Sequence, residues 1–118
     1  MLFLMFQLGR DRYVLETGQV EAVLPLLTAK QLPGAPTGVA GAISYRGRPV
    51  PVVDLALLAL GRPAEARLST RIILLRYPSG PGRDDLLGGR VEQAVETIER
   101  DAADFTYSGV EAGMPSYL

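Results

Sequence analysis

Short apolar runs alternate with turn residues along the whole chain. Residues 2 to 8 read as a strand, Gly9 to Arg12 as a tight turn and Tyr13 to Glu16 as its hairpin partner. Val20 to Leu27 is a further strand, with Glu21 its only charge. Pro33 and Pro36 hold a connector extended, because each fixes its own φ and restricts the residue before it. Val39 to Tyr45 and Val50 to Leu55 are strands on either side of an Arg46-Gly47 turn. Pro49 and Pro51 donate no ladder hydrogen bond, so the second of these is expected at an edge, or bulged near its start. Asp54 can cap a short helix, Leu55 to Leu60, that stops at Gly61. A polar linker covers 61 to 69, and Thr70 to Tyr77 is the clearest strand, built on Ile72-Ile73-Leu74-Leu75. A Gly-, Pro- and Asp-rich loop from Pro78 to Asp85 leads to two more short strands, Leu86 to Val91 and Ala94 to Ile98. From Glu99 onward the chain is polar and irregular, broken by Gly109, Gly113 and Pro115. Many short strands with turn signals between them predict a mainly β fold of small-barrel type.

Composition narrows the function. A chain of 118 residues, 47% hydrophobic and 21% charged, is one folding domain rather than a disordered segment. It contains no cysteine and no histidine, which removes disulfides, thiol chemistry, the commonest general base and the commonest metal ligand. The net charge of −1 argues against a nucleic-acid binder. The first 62 residues carry six basic and four acidic side chains, net +2, and the remainder six and nine, net −3. Arg46, Arg48 and one of Arg10 or Arg12 are therefore candidates for a basic barrel rim, against an ordinary solvated surface elsewhere. The opening MLFLMFQL is too short for a membrane span and lacks the basic start of a secretory signal, so a buried strand in a soluble, cytoplasmic protein is expected.

Catalytic candidates are thin. The serines have no histidine to activate them, and Lys30 lies in the proline-flanked connector. Asp84-Asp85 and Asp101 with Asp104 are paired acids of the kind that mark turns and helix starts more often than acid/base pairs. Gly80-Pro81-Gly82 and Gly88-Gly89 lack the residues and spacing of a phosphate loop. No enzyme, cofactor or metal is implied.

The run PTGVAGAISYRGRPVPVVDL, Pro36 to Leu55, resembles the central signature of CheW-like domains, the coupling proteins of bacterial chemosensory arrays. That signature has a Pro, then Gly-Val-x-Asn-Leu-Arg-Gly, a short gap, and Pro-Val-Val-Asp-Leu. Pro36, Gly41, Arg46, Gly47, Pro51, Val52, Val53, Asp54 and Leu55 fall in its register. FQLGRDRYVLETGQVEAVLP is similar to the family's opening, and STRIILLRY and LLGGRVEQAVETI to its later strands. Within the family the chain most resembles the WspB-type proteins of Wsp surface-sensing systems. The resemblance implies two small five-stranded β-barrels side by side, here about 1–60 and 61–118, meeting near residues 61 to 69. It also implies a scaffold without catalytic activity, linking the cytoplasmic tip of a methyl-accepting chemoreceptor to the regulatory domain of a CheA-type histidine kinase. The competing reading is a small-barrel module binding a ligand or oligonucleotide, although the eight aromatics are scattered rather than interleaved with Arg.

Two departures stand out. Ser44-Tyr45 replaces the usual Asn-Leu before Arg46, and Ala22 stands where many members carry glutamate. The chain also stops at Leu118, where the family continues with a further strand and a helix. An incomplete second barrel with an open strand edge, a route to self-association, is expected. The resemblance places partner-binding residues at Gly41, Ser44, Tyr45, Arg46 and Gly47 in the turn region. It adds Val20, Ala22 and Val23 on the preceding strand, the valines as an apolar kinase-facing patch. A planar guanidinium on a rigid turn suits recognition of carboxylates and carbonyls. An internal role for Arg46, bridging the two barrels, stands beside the interface role.

Overall fold

The computed structural model of the chain describes residues 1–25, 29–31, 33–101 and 103. Eight strands and one helix follow in order: β1 (Leu2–Leu8), β2 (Asp11–Glu16), β3 (Val20–Pro25), β4 (Val39–Tyr45), β5 (Arg48–Asp54), α1 (Leu55–Leu60), β6 (Arg71–Gly80), β7 (Arg83–Val91) and β8 (Gln93–Glu99). A 3-10 turn, Thr17–Gln19, joins β2 to β3. The strands form a three-stranded sheet, β2-β1-β8, and a five-stranded sheet, β3-β6-β7-β5-β4. Neither closes into a barrel among the described residues, where the two β-subdomains contribute three and five strands. The sheets also interleave the chain: β8 joins β1 and β2, while β6 and β7 join β3, β4 and β5.

The run Ile72-Ile73-Leu74-Leu75 explains the layering. Ile73 and Leu75 face the three-stranded sheet and pack with Leu4, Phe6, Leu8 and Leu15, together with Leu55, Ala56 and Val91. Ile72 and Leu74 face the other way, into a second cluster with Ile43, Val50 and Val52. A strand buried on both faces needs an unbroken apolar run rather than alternation, and β6 has one. Its neighbour β7, at the centre of the sheet, makes room with glycines. A Cβ on Gly88 would lie 3.1 Å from the Ile72 and Val52 side chains, and one on Gly89 2.9 Å from Leu55.

The second cluster is enclosed because the sheet's two edges, β3 and β4, approach each other. Lys30, a few residues beyond β3, exchanges two 2.8 Å backbone hydrogen bonds with Ala42 of β4. Gly41 makes this approach feasible. Its φ is +145°, and a Cβ there would lie 2.4 Å from the Lys30 carbonyl oxygen.

Prolines sit where strands have a single partner. The start of β5, with Pro49 and Pro51, pairs only with β4; β7 joins it in parallel register from Val52 to Asp54. So β5 is an edge in its first half and interior in its second, and the bulge lies on β4, between Val39 and Gly41, rather than at the start of β5. Likewise β6 runs on to Gly80, through Pro78, where β3 has already ended at Leu75. The missing proline N–H costs nothing on the unpaired side. The loop expected from Pro78 to Asp85 is instead the tip of a long β6–β7 hairpin.

Asp54 caps α1 as expected, accepting from the Leu57 N–H at 3.0 Å, and Gly61 ends it in the left-handed conformation with φ +75°. The segment 61 to 69 is no loose linker. Asp54 also accepts from the Ala64 N–H at 3.0 Å. Glu92, between β7 and β8, accepts from the Gly9 N–H at 2.6 Å, the Glu65 N–H at 3.3 Å and two nitrogens of Arg62 at 3.0 and 3.1 Å. Those bonds hold its carboxyl down at a pKa of about 2, with the Arg62 hydrogen bonds the largest cause. Two buried carboxylates thus tie this segment to the rest, and Glu92 fastens the β1–β2 turn to it. The expected β3 residues Leu26 and Leu27, and most of the expected irregular stretch after Glu99, lie outside the described residues.

Candidate partner-binding site

The hairpin between β4 and β5 is as short as a hairpin can be made from two residues, Arg46 and Gly47, with Tyr45 paired to Arg48 across it. Both turn residues have positive φ, +50° and +77°, the sign pattern of a type I′ turn whose twist matches the flanking strands. Glycine adopts that conformation freely, whereas an L-residue with a Cβ does so at a cost of roughly 1–2 kcal/mol. Arg46 is the single non-glycine residue with positive φ among the described residues. Its side chain is exposed and its guanidinium lies 5.3 Å from the centroid of the Tyr45 ring, within cation–π range.

Around this turn lies an open pocket of about 230 Å3 at the mouth of the five-stranded sheet. Its floor continues the inner cluster, since Leu86 and Tyr45 both pack against it. Its walls are charged: Arg46 and Arg48 from the β4–β5 hairpin, Arg76 and Asp84 from the β6–β7 hairpin, and Glu21 from β3. Glu21 enters through a bulge between Val20 and Ala22. Its carboxylate accepts from Arg76 Nε at 3.0 Å and, more weakly, from the Tyr45 hydroxyl at 3.4 Å. The Arg76 hydrogen bond is the first cause of its lowered pKa, and the charges of Arg76 and Arg46 add to it.

The expected site residues divide into three groups. Ser44, Tyr45, Arg46 and Gly47 come together at this mouth, with Tyr45 half-buried and the other three exposed. Gly41 and Ala22 lie inward, Gly41 buried under the Lys30 carbonyl and Ala22 packed on the inner cluster. Val20 and Val23 share the opposite face of β3, but Val20 packs against the core between the sheets while Val23 is 42% exposed at its margin. Arg10 and Arg12 belong to the hairpin of the three-stranded sheet, and Arg76 takes the place expected for them beside Arg46 and Arg48. The bridging alternative for Arg46 finds no support among the described residues, because Tyr45 and Glu21, its neighbours, lie in the same sheet.

Glu21, Arg76, Asp84 and Leu86 were not legible as site residues. A partial signal existed, since Glu21 is the lone charge of its strand and Arg76 follows Ile72 and Leu74 at alternate positions, which continues the inner face outward.

Residues 2–118 match the sequence profile of the CheW-like domain family. The chain belongs to the CheW-like domain family. The crystal structure of the scaffolding protein TtCheW from Thermoanaerobacter tengcongensis is similar to this CheW-like chain with a TM-score of 0.77. Identity to it is 23%, over 88% of this chain, which spans 64% of the length of TtCheW. That likeness establishes the mainly β, CheW-like fold. No curated protein matches the sequence. Glu21 is the neighbour of Ala22, the position at which the sequence resemblance sets an expected glutamate. The β3 bulge carries its carboxylate to the turn, so the departure at Ala22 leaves an acid beside Arg46 after all. Among the described residues no group of three His, Cys, Asp or Glu side chains is arranged to hold a metal ion, and no helix is long and apolar enough to cross a membrane.

Proposed function

We propose that this CheW-like domain is a cytoplasmic, non-enzymatic adaptor. It couples the cytoplasmic tip of a methyl-accepting chemoreceptor to the regulatory domain of a CheA-type histidine kinase. The observation that carries the reading is the family match over residues 2–118, with its signature Arg-Gly pair raised on a rigid turn. Several features support an interface role for that turn. A functional residue held in a costly backbone conformation is a recurring feature of binding sites, and Arg is among the residue types in which interfaces concentrate their energy. The competing oligonucleotide module would need exposed aromatic faces, whereas Tyr45 at this rim is half-buried and carries Arg46 over its ring. Placement within a WspB-type surface-sensing pathway rests on the sequence likeness alone.

The test is titration of the chain against the kinase regulatory domain and the receptor tip of the same organism. Wild type should bind both, and Arg46→Ala should weaken at least one by about 2 kcal/mol, roughly 30-fold, without lowering the melting temperature. Arg46→Lys should restore little, because an ammonium lacks the planar fork. Failure of the wild-type chain to bind either partner would refute the adaptor reading.

A further inference from the structure

The three arginines of the pocket are committed to very different degrees. Arg76 is fixed: it donates to Glu21 and to the backbone carbonyls of Gly18 and Val20, at 3.0, 2.6 and 3.2 Å. Arg48 is 58% exposed and makes one long contact, 3.5 Å, to Asp85. Arg46 has no ion pair within 4 Å among the described residues and rests on the Tyr45 ring. Two guanidiniums with donors to spare therefore flank one opening, above a floor of Leu86 and Tyr45.

We infer that this pocket receives one carboxylate side chain of a partner protein, gripped between Arg46 and Arg48. The inference rests on the adaptor reading and names the chemistry its partner must present. Guanidinium forks match carboxylate geometry, and charge-assisted hydrogen bonds of this kind are short and strong. The charge balance selects the ligand further. Three arginines face Glu21 and Asp84 across the lining; Arg76 pairs with Glu21 and Arg48 with Asp85 just outside, which leaves Arg46 the one lining arginine with no ion pair within 4 Å among the described residues. One incoming carboxylate supplies the counter-charge that Arg46 lacks, and a free polyanion would meet three carboxylates. The apolar floor suits the methylene stem of Glu or Asp, and the open mouth suits a side chain tethered to a docked surface. Glu21 keeps Arg76 and the Tyr45 hydroxyl in place, so the incoming group finds a preformed wall.

Charge reversal tests this. Arg46→Glu and, separately, the exposed Arg48→Glu are titrated against the kinase regulatory domain and the receptor tip, with circular dichroism to verify folding. Each should weaken binding to one of the two partners, Arg46→Glu by roughly 30-fold or more. Replacing the Asp and Glu residues of that partner one at a time by Arg should reveal a single position that restores at least tenfold to the reversed chain. Asp85→Asn, which releases Arg48, should tighten wild-type binding severalfold. If neither reversal weakens binding, or no partner substitution rescues, the carboxylate pocket is wrong while wild-type binding leaves the adaptor role standing. Loss of all wild-type binding removes both. If inorganic phosphate at millimolar concentration instead shifts the Arg46 and Tyr45 resonances of the free chain, the site is one for a free oxyanion and the inference falls. Should Arg46→Glu fail to fold, Arg48→Glu with the same partner scan decides the matter.

Discussion

Replacing Glu92 by Gln tests how the two sheets are held in register. The Glu92 side chain is 10% exposed and its carboxylate accepts four hydrogen bonds, two from Arg62 and one each from the backbone of Gly9 and Glu65. A carboxyl whose pKa falls from 4.5 to about 2 on folding gains up to roughly 3 kcal/mol of stability at neutral pH. Arg62 is 45% exposed, so solvent screening trims that figure, and about 2 kcal/mol is expected. The native pKa lies below the unfolded one, so the contribution is complete above about pH 4.5 and is lost as pH falls toward 2. Glu92→Gln keeps the shape, removes the charge and presents an amide N–H₂ where Gly9 or Arg62 needs an acceptor. Urea unfolding at pH 7 should show the variant about 2 kcal/mol less stable, and the two proteins should converge as pH drops from 4.5 toward 2. A loss below about 0.5 kcal/mol at pH 7, or parallel acid limbs, would refute the argument.

Three further outcomes follow from the turn, the sheet closure and β3. Arg46→Asn puts a preferred type I′ residue beside Gly47, so the melting temperature should hold or rise while partner affinity falls; a drop in melting temperature would make Arg46 a structural residue after all. Gly41→Ala places a Cβ against the Lys30 carbonyl at a φ that L-residues avoid, and should destabilise by roughly 2–3 kcal/mol in urea melts. Val20→Asp should cost roughly 2 kcal/mol because Val20 packs between the sheets, whereas Val23→Asp should change stability by no more than about 0.5 kcal/mol; equal melts for the two would contradict the assigned packing.

Local features of the fold were legible because local chemistry determines them. The α1 boundaries follow from Asp54 and Gly61, which supply a cap and a left-handed stop without help from the rest of the molecule. β1 and β4 likewise begin and end where their apolar runs do. The strand pairing was not legible. Nothing in the composition of β8 says that it joins β1 rather than β7, because that choice is made by which faces bury Phe6, Ile73 and Leu75 together. The anchoring of residues 61 to 69 is hidden for a similar reason. Residues 61 to 69 are polar, but their amide hydrogens find buried carboxylates from Asp54 and Glu92, distant in sequence, and a polar segment so anchored is as much part of the framework as a strand.

The site was half legible, and the missing half follows from the same physics. Arg46-Gly47 announces itself because a two-residue hairpin needs positive φ twice, and glycine is the residue that signals it. What the turn faces is set by the curl of a five-stranded sheet that brings the start of β3 opposite the end of β4, an approach secured by the Lys30 and Gly41 backbones. That curl places Glu21 and Arg76 beside Arg46. Glu21 serves Arg76 and Tyr45 as their acceptor, and Arg46 is left with charge to spare. A guanidinium in a costly backbone conformation, with its natural counter-charge already engaged by another arginine, adds nothing to stability that Asn would not add better. Its placement makes sense where a second molecule completes the pair.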